Sequence, residues 1–239
     1  MTLDDILASL FPAGHDVKSD HGVLQGSGSL KGGVPVLVIG IVDRIPVGID
    51  EAIRLSEYVL SSVENGTGPI LVIVDSDSQR MSKRDELLGL NEFLAHLAKC
   101  LIFADLQGRP TIGILYGHTA AGAFLATALA TRVLVALPGA EPAVMDLASM
   151  SKVTKLSIEV LQEKAKTTAI FAPGLDNLAK TGAVHFVWDA KISLANQLRA
   201  LLADLPDASD RRDVLGIERN GRNKAAEIAE MVYASARDS

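Results

Sequence analysis

The chain has 239 residues, 48% hydrophobic and 22% charged, which suffices for one sizeable core and excludes a disordered segment. A formal charge of −6 and an aromatic content of 4% argue against nucleic acid as a partner, because neither backbone phosphates nor bases would find a matching surface. The lone cysteine, Cys100, rules out an internal disulfide and a multi-cysteine zinc shell, and it fits a reducing, cytoplasmic location.

The N-terminus, Met1-Thr2-Leu3-Asp4-Asp5-Ile6, is acidic where a secretion signal is basic. The longest apolar runs, Ile70 to Val74 and Val133 to Leu137, are far shorter than the ~20 residues that span a bilayer, so no membrane association is expected. Thr2 and Asp5 form a capping pair for a short helix with the stripe Leu3, Ile6, Leu7 and Leu10, stopped by Pro12-Ala13-Gly14. Val23 to Leu30 and Val34 to Ile39 read as a hairpin turning at Lys31-Gly32-Gly33. Ile49 to Val63 has helical spacing and ends at Asn65-Gly66-Thr67-Gly68-Pro69. Ile70 to Val74 is the continuous β-branched run of a strand buried on both faces.

A polar segment from Asp75 to Lys83 leads into a long helix, Leu87 to Leu101, terminated near Gly108 and Pro110. Thr111 to Tyr116 is a strand, Gly117 to Gly122 a turn of small residues, Ala123 to Ala130 a helix and Arg132 to Leu137 a further strand. This alternation predicts an α/β fold with a mainly parallel sheet. Helices follow over Asp146 to Thr168 and Pro173 to Lys180, then a strand at Val184 to Trp188. Ser193 to Asp204 and Arg222 to Ala236 read as closing helices separated by a charged loop. The expected organisation is a lead-in of residues 1–21 and one domain over 22–239, with closing helices from about 190.

Familiar site patterns are mostly missing. Gly26-Ser27-Gly28 precedes no helix, no Gly-Lys pair marks a phosphate loop, and no serine sits between glycines at the nucleophile-elbow spacing. The histidines never fall at the i, i+4 spacing of a helical zinc pair, so no metal is expected. Two segments stand at the carboxyl ends of apolar strands, where open α/β sheets bind ligands: Asp75 to Met81 and Gly117 to Ala123. The second is lined by small residues and runs into a helix start, so its N–H groups could form an oxyanion hole; tight packing of helix on sheet explains the small residues equally well.

The segment Gly26 to Gly40, the strand and loop Ile70 to Arg80, and Arg109-Pro110-Thr111-Ile112 running into Gly117 to Ala126 resemble the biotin-dependent carboxyltransferases. Within that superfamily the chain is most similar to the gamma subunits of biotin-independent malonate decarboxylase. The resemblance implies a crotonase-like fold of stacked ββα units with helical C-terminal elements. It also implies a heterodimer with a beta subunit, an acetyl transferase subunit and an acyl carrier protein that presents malonate on a phosphopantetheine-type thioester arm, with no cofactor on this chain. Asp77-Ser78 replaces the family's Pro-Gly, and Thr119-Ala120-Ala121 replaces a glycine-richer stretch, leaving less room for carboxybiotin.

On that basis the backbone amides of Ala121, Gly122 and Ala123 are the expected oxyanion donors, with His118 as a candidate proton donor. Ser78, Gln79, Arg80, Gly117 and Thr119 are expected to line the substrate, Arg80 by its fork matching a carboxylate or phosphate. A valine at Gly122 is expected to fill the bend. The alternatives are a carboxyltransferase subunit of a biotin-dependent acyl-coenzyme A carboxylase and a non-catalytic bracing subunit.

Overall fold

The computed structural model describes residues 1–169 and 173–237. Seven strands form one sheet in the order β1 (Lys18–Asp20), β2 (Val23–Leu30), β3 (Val34–Val47), β4 (Ile70–Gln79), β5 (Thr111–Leu115), β7 (Val133–Ala136) and β9 (Phe186–Val187). The first three are antiparallel neighbours and the rest run parallel, as the alternation of strands and helices dictates. A second, two-stranded parallel sheet pairs β6 (His118–Ala120) with β8 (Glu141–Ala143).

Because side chains alternate across a strand, the central strands feed two cores. On one face Ile70, Val72 and Val74 pack with α2 (Ile49–Asn65), α4 (Leu90–Leu106) and α5 (Ala121–Ala126). On the other, Leu71, Ile73, Ile112 and Ile114 pack with α1 (Leu3–Leu10) and α9 (Leu194–Ala203), which lie against each other. The capping box at Thr2 and Asp5 starts α1 as expected.

Several boundaries differ from expectation. The segment after Val74 continues as strand to Gln79, because β3 also continues past its hairpin to Val47 and supplies a partner, with Val47 opposite Gln79. That extension crosses an irregularity at Asp43 and Arg44, both left-handed with φ of 62° and 52°. The long helix begins earlier and is divided by left-handed Gly89 into α3 (Lys83–Leu88) and α4. The helix after the small-residue bend is Ala121–Ala126 followed by a 3-10 turn at Ala128–Ala130, so it is shorter than expected. The expected Asp146-to-Thr168 helix is two, α6 (Leu147–Thr154) and α7 (Ile158–Thr167), and α8 (Leu175–Lys180) follows. The charged loop near the end contains α10 (Arg212–Glu218) before α11 (Ala225–Arg237). No helix among the described residues is long and apolar enough to cross a membrane.

Candidate functional site

The extended end of β4 lies against β6 and the start of α5. Three side-chain bonds, each spanning 43 residues, tie the two segments together. The His118 amide donates to Asp75 Oδ1 at 2.9 Å. Ser76 and Thr119 hydroxyls share a buried hydrogen bond at 2.8 Å. The Gly122 amide donates to Gln79 Oε1 at 2.9 Å. A Cβ at Gly117 would overlap the Asp75 carboxylate, so glycine is required for that approach. The bend is held further by the Glu141 amide, which donates to Gly117 O at 2.9 Å.

This geometry corrects part of the sequence-based expectation. Of the three expected oxyanion amides, Gly122 already donates to Gln79, and Ala123 sits in the core at 0% exposure. Ala121 alone heads the helix half-buried, with a strained φ of 48°. Thr119 is fully buried and bonded to Ser76, so its hydroxyl cannot line a substrate. Gly122 points its missing side chain inward: a Cβ there would meet Gln79 Oε1 and Leu94 Cδ1, each at 3.2 Å. A valine at 122 would therefore press on Gln79 rather than fill the bend.

Arg80 is also committed elsewhere. Its guanidinium lies 2.6 Å from Glu51, 3.8 Å from Asp50 and 3.8 Å from Asp85. Arg84 joins the same cluster, 2.8 Å from Asp50 and 3.0 Å from Asp85. With three carboxylates around it, Arg80 has little positive potential left for a substrate anion, so its expected role as an anion fork is withdrawn. The Asp85 side chain is 1% exposed and its Oδ2 has no hydrogen-bond partner. Arg80 Nη1 is the charge that faces it, and Gly48 leaves the space for both.

Ser78, Gln79, Gly117 and His118 remain half-buried at the carboxyl edge of the sheet, where the expectation put them. Ser78 donates locally to Gln79 O at 3.2 Å. Tyr116, at the end of β5, has its hydroxyl pushed well above the ordinary phenol range by burial, with the Asp75 and Asp43 carboxylates adding to the effect. It therefore stays protonated as a hydrogen-bond donor. Asp75 accepts from the His118 amide, 43 residues away in the sequence. Glu51 and Asp85 were missed altogether; the local signals that mark them are Glu51 at the third position of α2, accepting from the Gly48 amide, and the Ser82 cap on the Asp85 amide. Among the described residues no group of three or more His, Cys, Asp or Glu side chains could hold a metal ion.

Away from this edge the structure has a groove of mixed apolar and charged lining. It has a volume of about 1290 Å³ and runs beside α4 and the C-terminal segment, with Ile102, Leu106, Leu125, Met145 and Phe186 among its lining side chains.

Residues 42–236 match the family model of the malonate decarboxylase gamma subunit. A curated relative, the malonyl-S-ACP:biotin-protein carboxyltransferase MADD of Malonomonas rubra, is 28% identical over 218 residues, which cover 83% of this chain and 73% of the relative. The Pseudomonas malonate decarboxylase MdcD-MdcE hetero-dimer is similar in structure at a TM-score of 0.73 and 25% identity, over 98% of this chain and 96% of that one. A Pseudomonas malonate decarboxylase hetero-tetramer in complex with coenzyme A gives a TM-score of 0.75 at 23% identity, over 97% and 98% of the two chains. Transcarboxylase 12S shares the fold at a TM-score of 0.67 and 16% identity, over 87% of this chain but 42% of its own. The fold is thus the crotonase-like one shared by carboxyltransferases and malonate decarboxylases, and with most of its length matched by the family model the chain belongs to the malonate decarboxylase gamma subunits.

Proposed function

We propose that this chain pairs with a beta subunit, and that the two form the site at which a malonyl thioester on an acyl carrier protein loses carbon dioxide to give the acetyl thioester. An acetyl transferase subunit would recharge the carrier, in the cytoplasm, and the only cofactor-derived group involved would be the carrier's phosphopantetheine-type arm. The observation that carries this reading is the family match over residues 42–236. The solved relatives support the pairing: one is a hetero-dimer, and one is a hetero-tetramer holding coenzyme A, which has the same thiol arm.

Decarboxylation breaks the bond between the carboxyl carbon and Cα, and the electron pair moves onto the thioester carbonyl to form an enolate. The pair returns to Cα when a proton arrives, leaving the acetyl thioester. The step needs hydrogen-bond donors aimed at the developing oxyanion and no nucleophile. In this chain the edge made by Ser78, Gln79, Gly117 and His118, with the Ala121 amide, is the surface proposed to face that thioester. His118 is the candidate proton source, because burial and the Asp75 and Asp43 carboxylates make the Tyr116 hydroxyl reluctant to release its proton.

The name of the Malonomonas relative favours a second reading, transfer of the same carboxyl group to a biotin protein. Both readings begin by breaking the bond between the carboxyl carbon and Cα of the malonyl thioester, and they differ in where carbon dioxide goes. The test is release of labelled carbon dioxide from a malonyl carrier by the co-purified subunits in the presence of avidin. Release at an unchanged rate supports decarboxylation. Turnover that appears only when a biotin protein is added and avidin is withheld supports the second reading and removes the first.

A further inference from the structure

Gln79, like Asp75, joins the two segments while remaining half-buried, and it is the one that carries hydrogen-bond donors of its own. Its carboxamide has a fixed orientation. A backbone N–H can only donate, so the atom 2.9 Å from the Gly122 nitrogen is Oε1, and Nε2 must occupy the opposite corner. There its hydrogen-bond partner is the thioether of Met81 at 4.0 Å, which accepts weakly. The two Nε2 hydrogens are therefore held in place without a strong acceptor.

The backbone beneath the carboxamide is equally fixed. Gln79 pairs with Val47 across β3 and β4, and the next amide, Arg80, donates to Val47 O at 2.8 Å. The Arg80 side chain is anchored on the other side by Glu51 at 2.6 Å and faces Asp85. Residue 79 is thus clamped by strand pairing and ion pairing while its side chain is oriented by Gly122. A donor restrained in this way meets the requirement for stabilising charge that develops during a reaction, because it needs no reorganisation.

We propose that the oxyanion donor of this chain is Gln79 Nε2, with the Gly122 amide orienting the carboxamide, and that Gln79 contacts the thioester oxygen directly. The proposal rests on the decarboxylation reading above and changes the chemistry within it: a side chain replaces the Gly122 amide as the group that faces the substrate.

The experiment is steady-state carbon dioxide release from the malonyl carrier by the co-purified complex carrying Gln79→Ala, Gln79→Glu or Gln79→Met. Gln79→Ala exposes the Gly122 amide. Gln79→Glu keeps an acceptor for that amide and removes the outward donor, and Gln79→Met keeps the length and has no donor. Loss of one oriented donor is expected to lower kcat by about 100- to 1000-fold in all three variants, with KM changed much less. Co-purification with the partner and an unchanged unfolding midpoint in at least one variant separate this loss from misfolding. A Gln79→Ala complex with wild-type or higher kcat would overturn the proposal, since the Gly122 amide would then be the donor and Gln79 its cap. That result leaves the decarboxylation reading intact, whereas a wild-type complex that releases no carbon dioxide overturns both.

Discussion

The first 140 residues and the remainder of this chain are built on different principles. In the first region, strands β2 to β5 and β7 form one core with α2 and α4 and a second with α1, which α9 of the later region closes, and the polar groups at the strand ends bond to one another. In the second, α6, α8 and α11 bury no residue at all and α7 buries only Leu161, although their sequences are amphipathic. Met231, Val232 and Tyr233 on α11 are each about two-thirds exposed. Helices that leave an apolar face open are partner-binding elements or unstable ones. The contrast teaches that the sheet and its covering helices pack into a complete scaffold, whereas the later helices α6, α7 and α11 leave apolar faces open.

Substitutions can break or sharpen that contrast. The largest effect is expected in the first region: Phe124→Ala, at a fully buried site, should cost about 3–5 kcal/mol in urea unfolding of the isolated chain. A loss under 1 kcal/mol would show that the core is not tightly packed.

The contact between His185 and Leu134 is expected to make stability depend on pH. His185 accepts from the Leu134 amide through Nδ1, and its pKa is lowered to about 4 by burial, then by Arg212 and Arg219, against the opposing Asp210 carboxylate. The folded state therefore disfavours the proton that the unfolded chain binds near 6.5. Stability should be full above pH 6.5 and fall by about 1.4 kcal/mol per unit between 6.5 and 4. His185→Asn, which cannot titrate, should flatten that slope in denaturant titrations at several pH values. An unchanged slope would assign the effect to other groups.

In the second region, Ile228→Asp combined with Met231→Asp should leave the isolated chain's unfolding midpoint unchanged while weakening association with the beta subunit at least about tenfold, or ~1.4 kcal/mol, in a titration of the two subunits. Wild-type affinity would remove α11 from the interface. The smallest effect is Ala121→Gly. Relief of the left-handed strain, set against the greater freedom of glycine in the unfolded chain, should raise stability by about 0.5–1 kcal/mol.

Sequence reading recovered the parts that depend on local chemistry. The β-branched run Ile70 to Val74, the hairpin glycines and the α1 capping box specify their own conformations. It placed the small-residue bend at the end of β5, where the structure has it. It could not find β8, three residues with a central proline whose partner β6 lies about twenty residues back. The bonding of the site was hidden for the same reason. Whether Gly122 is a free donor depends on Gln79, and Gln79 reaches it only because β3 and β4 both extend beyond their apolar runs. Arg80 looked available because its carboxylates come from two other segments, at Asp50 and Glu51 and at Asp85.

The central claim, that this chain supplies half of a catalytic site, is tested most directly by following carbon dioxide release from a malonyl carrier with each subunit alone and then with the two mixed. Turnover is expected only in the mixture, rising with subunit concentration until the heterodimer is saturated. Turnover by either polypeptide alone at the rate of the mixture would contradict the claim.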